Sequence, residues 1–342
     1  MKILFLTSGE NVPSTRYRIL PYVSKLREHG IDCVVSHSRP AKYQRWPILG
    51  WRLSHAIRKA IRWGDVRKAA QSRYDVIVIE REIFDDPTWN LEAAFRKTTP
   101  RLVLDLDDGI FLRYPEKFAQ VAGMCDHVIA GNEFLAEESR KYCQSVSIVP
   151  TSVGLAEYPW RTRATRNETP IVGWIGTSAN LKYLDEIRPA LEELITRMPF
   201  TLRIVTDLGE QTSQWSRAGF PVEFQAWAAE TAVEQIHAFD VGVMPLPDEI
   251  WERYKCGFKL LQYMAAGVPA VASPVGVNRT IVETGVNGFL AGSTSEWVDS
   301  IEACLRDPAV TQRIRDAARN TIEAGYSVEG QFAQFLSALR GE

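Results

Sequence analysis

The chain has 342 residues, of which 45% are hydrophobic and 24% charged, with a net charge of −2. That length suits two domains better than one core, and the near-neutral balance argues against a nucleic-acid partner. No apolar run approaches the roughly eighteen residues of a membrane span, and that of the opening MKILFLTSGEN is too short for a signal peptide. The five widely spaced cysteines lack CxxC or Cys/His spacing, which favours a reducing cytoplasm over a disulfide or zinc scaffold.

Residues 2–150 alternate apolar runs with helical stretches. Strands are predicted at Ile3–Leu6, Cys33–Ser36, Val76–Ile79, Leu102–Leu106, His127–Ala130 and Val146–Val149. Their β-branched character with little polar alternation fits a parallel sheet covered on both faces. Helical pattern fills the gaps, as in Tyr17–Glu28 and Glu133–Lys141, so the domain reads as doubly wound α/β. Ligands of such sheets sit at the carboxyl ends of the strands. Those ends carry the loops Thr7–Arg18, Glu80–Asp86 and Asp105–Phe111. The first loop holds one glycine, Gly9, and lacks GxGxxG, which argues against a nicotinamide enzyme. Arg16 and Arg18 could grip a phosphate or carboxylate there, or be ordinary solvated charges. Asp105, Asp107 and Asp108 close the fourth strand, a cluster suited to a divalent cation, base chemistry or sugar hydroxyls.

Residues 42–73 carry nine Lys or Arg against one acid, Asp65, interleaved with Trp46, Trp51, Trp63 and aliphatic residues. Basic charge with tryptophan at helical spacing fits an anionic membrane surface or a lipid-linked substrate. The alternatives are a basic amphipathic helix packed on its own sheet and a nucleic-acid surface, which nothing else in the chain supports.

A second βα series follows the polar linker Arg161–Pro170. Its predicted strands are Ile171–Ile175, Thr201–Val205, Val222–Phe224, Val241–Met244, Ala270–Ala272 and Phe289–Ala291. Helices are predicted at Leu181–Arg197, Thr231–Ala238, Gly257–Ala266, Glu296–Arg306 and Val310–Ala324, with a last amphipathic segment at Val328–Leu339. Gly176, Thr177 and Ser178 follow the first of these strands, where a phosphate cradle or simple helix capping would each fit. Lys255 precedes and Lys259 opens the helix Gly257–Ala266. A cation at the first turn opposes the helix dipole, unless an anion is expected between them.

At this point the chain resembles a retaining glycosyltransferase of the two-domain GT-B fold (group 1, family 4-like). That large family includes sucrose and glycogen synthases. The motifs that carry the resemblance are CDHVIAGNEFLAEE before VSIVPTSVG, then IVGWIG, FDVGVMPLPD, KCGFKLLQYMAAGVPAVASPVG and IVETGVNGFLA. The lysine-bearing motif with PVGVN most resembles bacterial enzymes that build cell-surface polysaccharides.

The resemblance implies two Rossmann-like doubly wound domains facing a cleft. Residues 1–160 would bind the acceptor and 161–325 the nucleotide-sugar donor, while 326–342 would cross back to the first domain. Lys259 would contact the donor diphosphate, assisted by Lys255 or Arg253. Gly176 and Thr177 would approach a phosphate or the sugar, and Gln262 a ribose hydroxyl. Asp107 and Asp108, catalytic together with Lys259, would stand where the family often has His-Asp, with Gly9, Arg16 and Arg18 on the acceptor or phosphate side. The family often has two glutamates eight apart where this chain reads Tyr254 and Gln262. The implied partners are a nucleotide sugar and a glycan or lipid-linked acceptor. No cofactor or metal is implied, and the location would be cytoplasmic, on the inner face of the membrane if peripheral. A GT-B-fold nucleotide-sugar epimerase and a catalytically silent nucleotide-sugar-binding scaffold are the competing readings.

Overall fold

The computed structural model describes residues 1–160, 167–207, 214–215 and 218–342. Of the predicted linker Arg161–Pro170, positions 161–166 lie outside the described residues.

The chain divides into two compact units. Unit 1 comprises Met1–Ser152, Tyr254–Cys256 and Val328–Glu342; unit 2 comprises Val153–Arg253 and Gly257–Ser327. The boundary falls earlier than the predicted 160/161, because Val153 donates to Tyr326 O at 2.9 Å and bridges to Ser327.

Unit 1 is built on β1 (Lys2–Thr7), β2 (Asp32–His37), β3 (Val76–Glu80), β4 (Arg101–Leu106), β5 (His127–Ala130) and β6 (Val146–Ile148). All pair in parallel in the order β2-β1-β3-β4-β5-β6. The helices are α1 (Leu20–Glu28), α2 (Gly50–Ser72), α3 (Asn90–Arg96), α4 (Pro115–Met124) and α5 (Glu133–Arg140). Alternate residues of β1 serve opposite faces, as a two-residue period requires. Ile3 and Phe5 pack with Ile19, Tyr22 and Val23 of the first helical segment, and Leu4 and Leu6 with Ala69 of α2.

In unit 2, β7 (Ile171–Ile175), β8 (Thr201–Thr206), β9 (Val222–Ala226), β10 (Val241–Met244), β11 (Ala270–Ala272) and β12 (Phe289–Leu290) form a second parallel sheet. Its order is β12-β11-β10-β7-β8-β9. Its helices are α6 (Arg188–Arg197), α7 (Ala232–His237), α8 (Ile250–Arg253), α9 (Phe258–Ala265), α10 (Asn278–Ile281), α11 (Thr294–Arg306) and α12 (Pro308–Gly325). The helix predicted over Leu181–Arg197 is broken. Ser178–Ile187 winds in tight three-residue turns, and α6 starts afresh with Pro189 in its first turn. Proline has no N–H to continue a preceding helix but fits a first turn without cost.

The last helix, α13 (Val328–Arg340), packs on unit 1. Phe335 stacks on Tyr22 with ring centroids 4.2 Å apart, and Arg101 Nη2 donates to Ala338 O at 2.8 Å. No described helix is long and apolar enough to cross a membrane.

Candidate functional site

Topology points to one place in each unit. A doubly wound sheet opens a crevice where neighbouring strands send their connections to opposite sides, at the carboxyl ends. In unit 2 these neighbours are β7 and β10; in unit 1 they are β1 and β3.

In unit 2, β7 runs out at Ile175 into Gly176, and Lys259 lies across that glycine. A Cβ placed on Gly176 would meet Lys259 Cε at 2.6 Å and Trp174 Cη2 at 2.7 Å. A side chain there would have to displace the lysine stem and press on the buried Trp174 ring. Lys259 Nζ is 5.5 Å from the Trp174 ring centroid, so the ammonium sits at an aromatic face. Lys259 belongs to the first turn of α9, whose N-cap is Gly257 (φ +68°) with no side-chain cap on the helix. An uncapped helix start and a cation converge at the carboxyl end of β7, an arrangement that attracts an anion. Glu252 of α8 accepts a 2.5 Å bond from the Tyr183 hydroxyl, which holds α8 against the turns that follow Gly176.

The other predicted donor residues divide. The Gly176–Ser178 turn is not an open phosphate cradle. Gly176 N–H donates to Val205 O at 3.0 Å, and Ser178 gives its N–H (2.6 Å) and hydroxyl (3.1 Å) to Asp207. Thr177 accepts from Asn180 Nδ2 at 3.1 Å. Gln262 is buried, and its amide nitrogen donates to the Tyr158 hydroxyl at 2.7 Å, so that donor is committed inside unit 2 rather than offered to a ribose. Arg253 pairs with Asp248 at 2.7 Å on the surface of unit 2.

Lys255 is placed apart from the other predicted donor residues. Tyr254–Cys256 forms part of unit 1, not of unit 2. Asn132 caps α5 by accepting from Leu135 N–H. Its Nδ2 donates to Tyr254 O at 3.1 Å and Lys255 O at 3.4 Å, and lies 3.3 Å from Cys256 Sγ. Phe111 meets the Tyr254 ring edge-on at 4.7 Å. Cys256 Sγ donates to Asp107 O at 3.3 Å, and burial pushes its thiol up to about 12. Tyr254 and Lys255 are thus held in unit 1 through their backbone carbonyls, and Cys256 through its sulfur.

At the unit 1 crevice, Glu80 ends β3 and gathers the loop after β1. It accepts from Ser8 N–H at 3.1 Å, from the Thr15 hydroxyl at 2.5 Å and from the Ser14 hydroxyl. Gly9 (φ +143°) lies in this loop against Ala41, and Thr15–Ile19 winds as a wide π-type turn. Arg16 lies within that turn with its guanidinium 5.7 Å from the Tyr17 ring.

Arg18 is not available to an acceptor phosphate. It is buried, its Nε donates to Asp105 Oδ1 at 2.6 Å, and its Nη1 donates to Val149 O at 2.9 Å. Burial pushes the Asp105 carboxyl up to about 6 against the opposing pull of Arg18. Asp107 behaves differently. Burial pushes its carboxyl up, but the charge and hydrogen bonds of Arg81 outweigh it and hold the group below its ordinary value. Arg81 grips both oxygens of Asp107, at 2.5 and 3.0 Å, and reaches Asp108 at 3.5 Å, from a left-handed backbone at φ +58°. An anion held this firmly is a poor proton acceptor.

Arg81, Glu80 and Asn132 were not singled out from sequence. Asn132 was legible as a cap in AGNEFLAEE. Nothing local marked Arg81, whose partners lie on the next strand's loop.

Residues 169–307 match the family of glycosyl transferases group 1. The matched stretch covers unit 2 from β7 to the end of α11, including Lys259 and Gly176. A D-inositol 3-phosphate glycosyltransferase of Nocardia farcinica (strain IFM 10152) is 26% identical over 256 residues, 64% of this chain and 54% of that protein. The chain thus spans about half the length of the curated relative it matches. Among solved structures, Anabaena Alr3699/HepE in complex with UDP and glucose superposes with a TM-score of 0.70 at 18% identity, covering 100% of both chains. A glycosyltransferase from Rickettsia africae ESF-5 gives 0.72 at 12% identity over 99% of this chain and 97% of that one. Sucrose-phosphate synthase (tll1590) from Thermosynechococcus elongatus gives 0.70 at 15%, covering 100% and 99%. At such identities the likeness is one of fold: two six-stranded parallel α/β sheets, as in GT-B glycosyltransferases.

Proposed function

We propose that this chain is a retaining glycosyltransferase. It takes a sugar from a nucleoside-diphosphate donor held by unit 2 and transfers it to a hydroxyl of a glycan or lipid-linked acceptor held by unit 1. The observation that carries the reading is Lys259, laid across Gly176 at the uncapped start of α9. The match of residues 169–307 to group 1 and the UDP and glucose bound by the similar Anabaena protein support it. Resemblance to bacterial surface-polysaccharide enzymes suggests that pathway class.

In the reaction the bond from the anomeric carbon to the departing phosphate oxygen breaks, and a bond to the acceptor oxygen forms on the same face. The acceptor proton passes to the departing phosphate oxygen, so no protein base is needed. That fits an Asp107 already gripped by Arg81. Positive charge at Lys259 and the N–H groups of α9 stabilise the leaving diphosphate, with neither metal nor cofactor required.

Calorimetry with UDP, GDP, ADP, CDP and dTDP tests this reading. One of them should bind, and Lys259→Ala should weaken it by about 1.5–3 kcal/mol, the range of a charge-assisted hydrogen bond. Failure of all five would overturn the assignment.

A second reading has a specific observation in its favour. Tyr254 is bound into unit 1 and Gln262 is committed to Tyr158, which fits a scaffold that binds nucleotide sugar without turnover. Nucleotide binding with no product across a donor and acceptor screen would favour it.

We also infer peripheral attachment to the cytoplasmic face of the membrane. The tip before α2 and the exposed side of that helix carry Ile48 (95% exposed), Trp51 (53%) and Trp63 beside Arg45, Arg52 and Arg67. Lys42, Arg58 and Arg62 take no part, being buried on backbone carbonyls.

A further inference from the structure

A cavity of about 330 Å³ opens at the edge of the unit 1 sheet, between β2 and α2. That volume lies at the lower end of the range for small-molecule pockets, roughly 300–1,000 Å³. β2 is the outermost strand, so no further strand closes this side. Leu4, Val34, Ala69 and Tyr74 make an apolar floor, and Ile61 forms part of the wall. Val34 is 36% exposed and Ile61 37%. Leu53, Ile57 and Ile61 recur every four residues along α2, so they share one face of the helix and lead toward the cavity.

The opposite end of the cavity is polar. Register pairs Thr7 with His37 at the carboxyl end of the sheet, and the Thr7 hydroxyl is 2.8 Å from His37 Nδ1. His37 and Arg39 line the cavity at that end, and Lys68 lines it from α2. Asp65, the one carboxylate in the lining, is engaged by Arg62 at 3.1 Å and by the Ser36 hydroxyl at 2.9 Å. Among the described residues neither Arg39 nor Lys68 has an ion-pair partner, which leaves the cavity with net positive character. Its polar end adjoins Thr7, where the acceptor-side loop Thr7–Arg18 begins.

We propose that this cavity receives the hydrocarbon chain of a lipid phosphate, with the phosphate at Arg39, and that this lipid carries the acceptor. The second half of the statement rests on the transferase reading above. An apolar trough with the unpaired Arg39 at its polar end complements an amphiphilic anion better than a free phosphate or a neutral lipid.

Titration of the full chain with farnesyl phosphate below its micelle concentration tests the proposal, with farnesol and inorganic phosphate as part-ligands. Farnesyl phosphate should bind about tenfold or more tighter than either part. Val34→Trp, which fills the mouth, and Ile61→Asp, which charges the wall, should each weaken it by about tenfold, the cost of excluding two or more methylenes. Val286→Ser, on the surface of unit 2, should leave it unchanged. UDP titration run beside each variant shows that the chain is folded and reads the transferase assignment separately. Farnesyl phosphate binding no tighter than phosphate, or indifferent to both cavity variants, overturns the proposal whatever UDP does. If Val34→Trp abolishes binding to phosphatidylglycerol vesicles as strongly as binding to farnesyl phosphate, the cavity serves bulk lipid and the acceptor assignment falls. A dimer that Val34→Trp dissociates would assign the trough to a second copy and also overturn it.

Discussion

Asp105 and Asp107 stand two residues apart at the end of β4, yet their carboxyls move in opposite directions. Arg81 bonds both oxygens of Asp107, whereas Arg18 bonds Oδ1 of Asp105 and leaves Oδ2 buried without a partner. Desolvation therefore prevails at Asp105 and raises it from 3.8 to about 6. The sign of the consequence follows from linkage. Between about pH 4 and 6 the folded chain keeps a proton that the unfolded chain has released. The stability from this group is therefore present in full below pH 4 and lost as the pH rises to about 6. Asp105→Asn should remove that slope, worth on the order of 3 kcal/mol across two pH units. Urea denaturation of both proteins from pH 4 to 7 checks it; parallel curves would contradict the assignment. Lys259 was legible in the sequence because its oddity is local, a cation in the first turn of a helix. Arg18 was equally visible as a cation, but its burial was not.

α13 shows the same division among elements. Its amphipathic pattern and helical length were readable from Val328 to Leu339, and the resemblance implied the domain on which it packs. Phe335 is buried against Tyr22. Phe335→Ala should cost unit 1 about 3–5 kcal/mol, from lost transfer energy and the cavity left behind. Chemical denaturation followed by tryptophan and far-UV signals measures that loss, and a change under 1 kcal/mol would mean that the helix contributes little. Tyr254–Cys256 was the opposite case. Its sequence reads as the loop leading into α9, and its attachment to Asn132 and Phe111 has no local signature.

At the scale of the whole chain, a net charge of −2 conceals a strongly uneven surface. The region around α2 gathers exposed arginines with exposed tryptophans, the combination that drives interfacial binding. Co-sedimentation with vesicles should require anionic lipid and fall with added salt. Each surface Lys or Arg near the bilayer contributes about 1 kcal/mol. The double variant Trp51→Ser, Arg52→Gln should release the protein into the supernatant, and sedimentation indifferent to lipid charge would remove the membrane assignment. The proposed nucleotide binding at unit 2 is a separate measurement and survives that outcome.

The amino-acid sequence by itself determined the two α/β units, every described strand, and the helix that carries Lys259 in its first turn. These depend on hydrophobic periods and turn residues read over a few neighbours. The tertiary structure alone decided that Arg18 is buried, that Gln262 bonds Tyr158, that Tyr254–Cys256 belongs to unit 1, and that a cavity opens beside β2. Each depends on partners far along the chain, such as Val149 for Arg18, 131 residues away, and Asn132 for Tyr254, 122 residues away. A side chain's type is local, but its solvent and its partners are set by whatever the fold brings beside it.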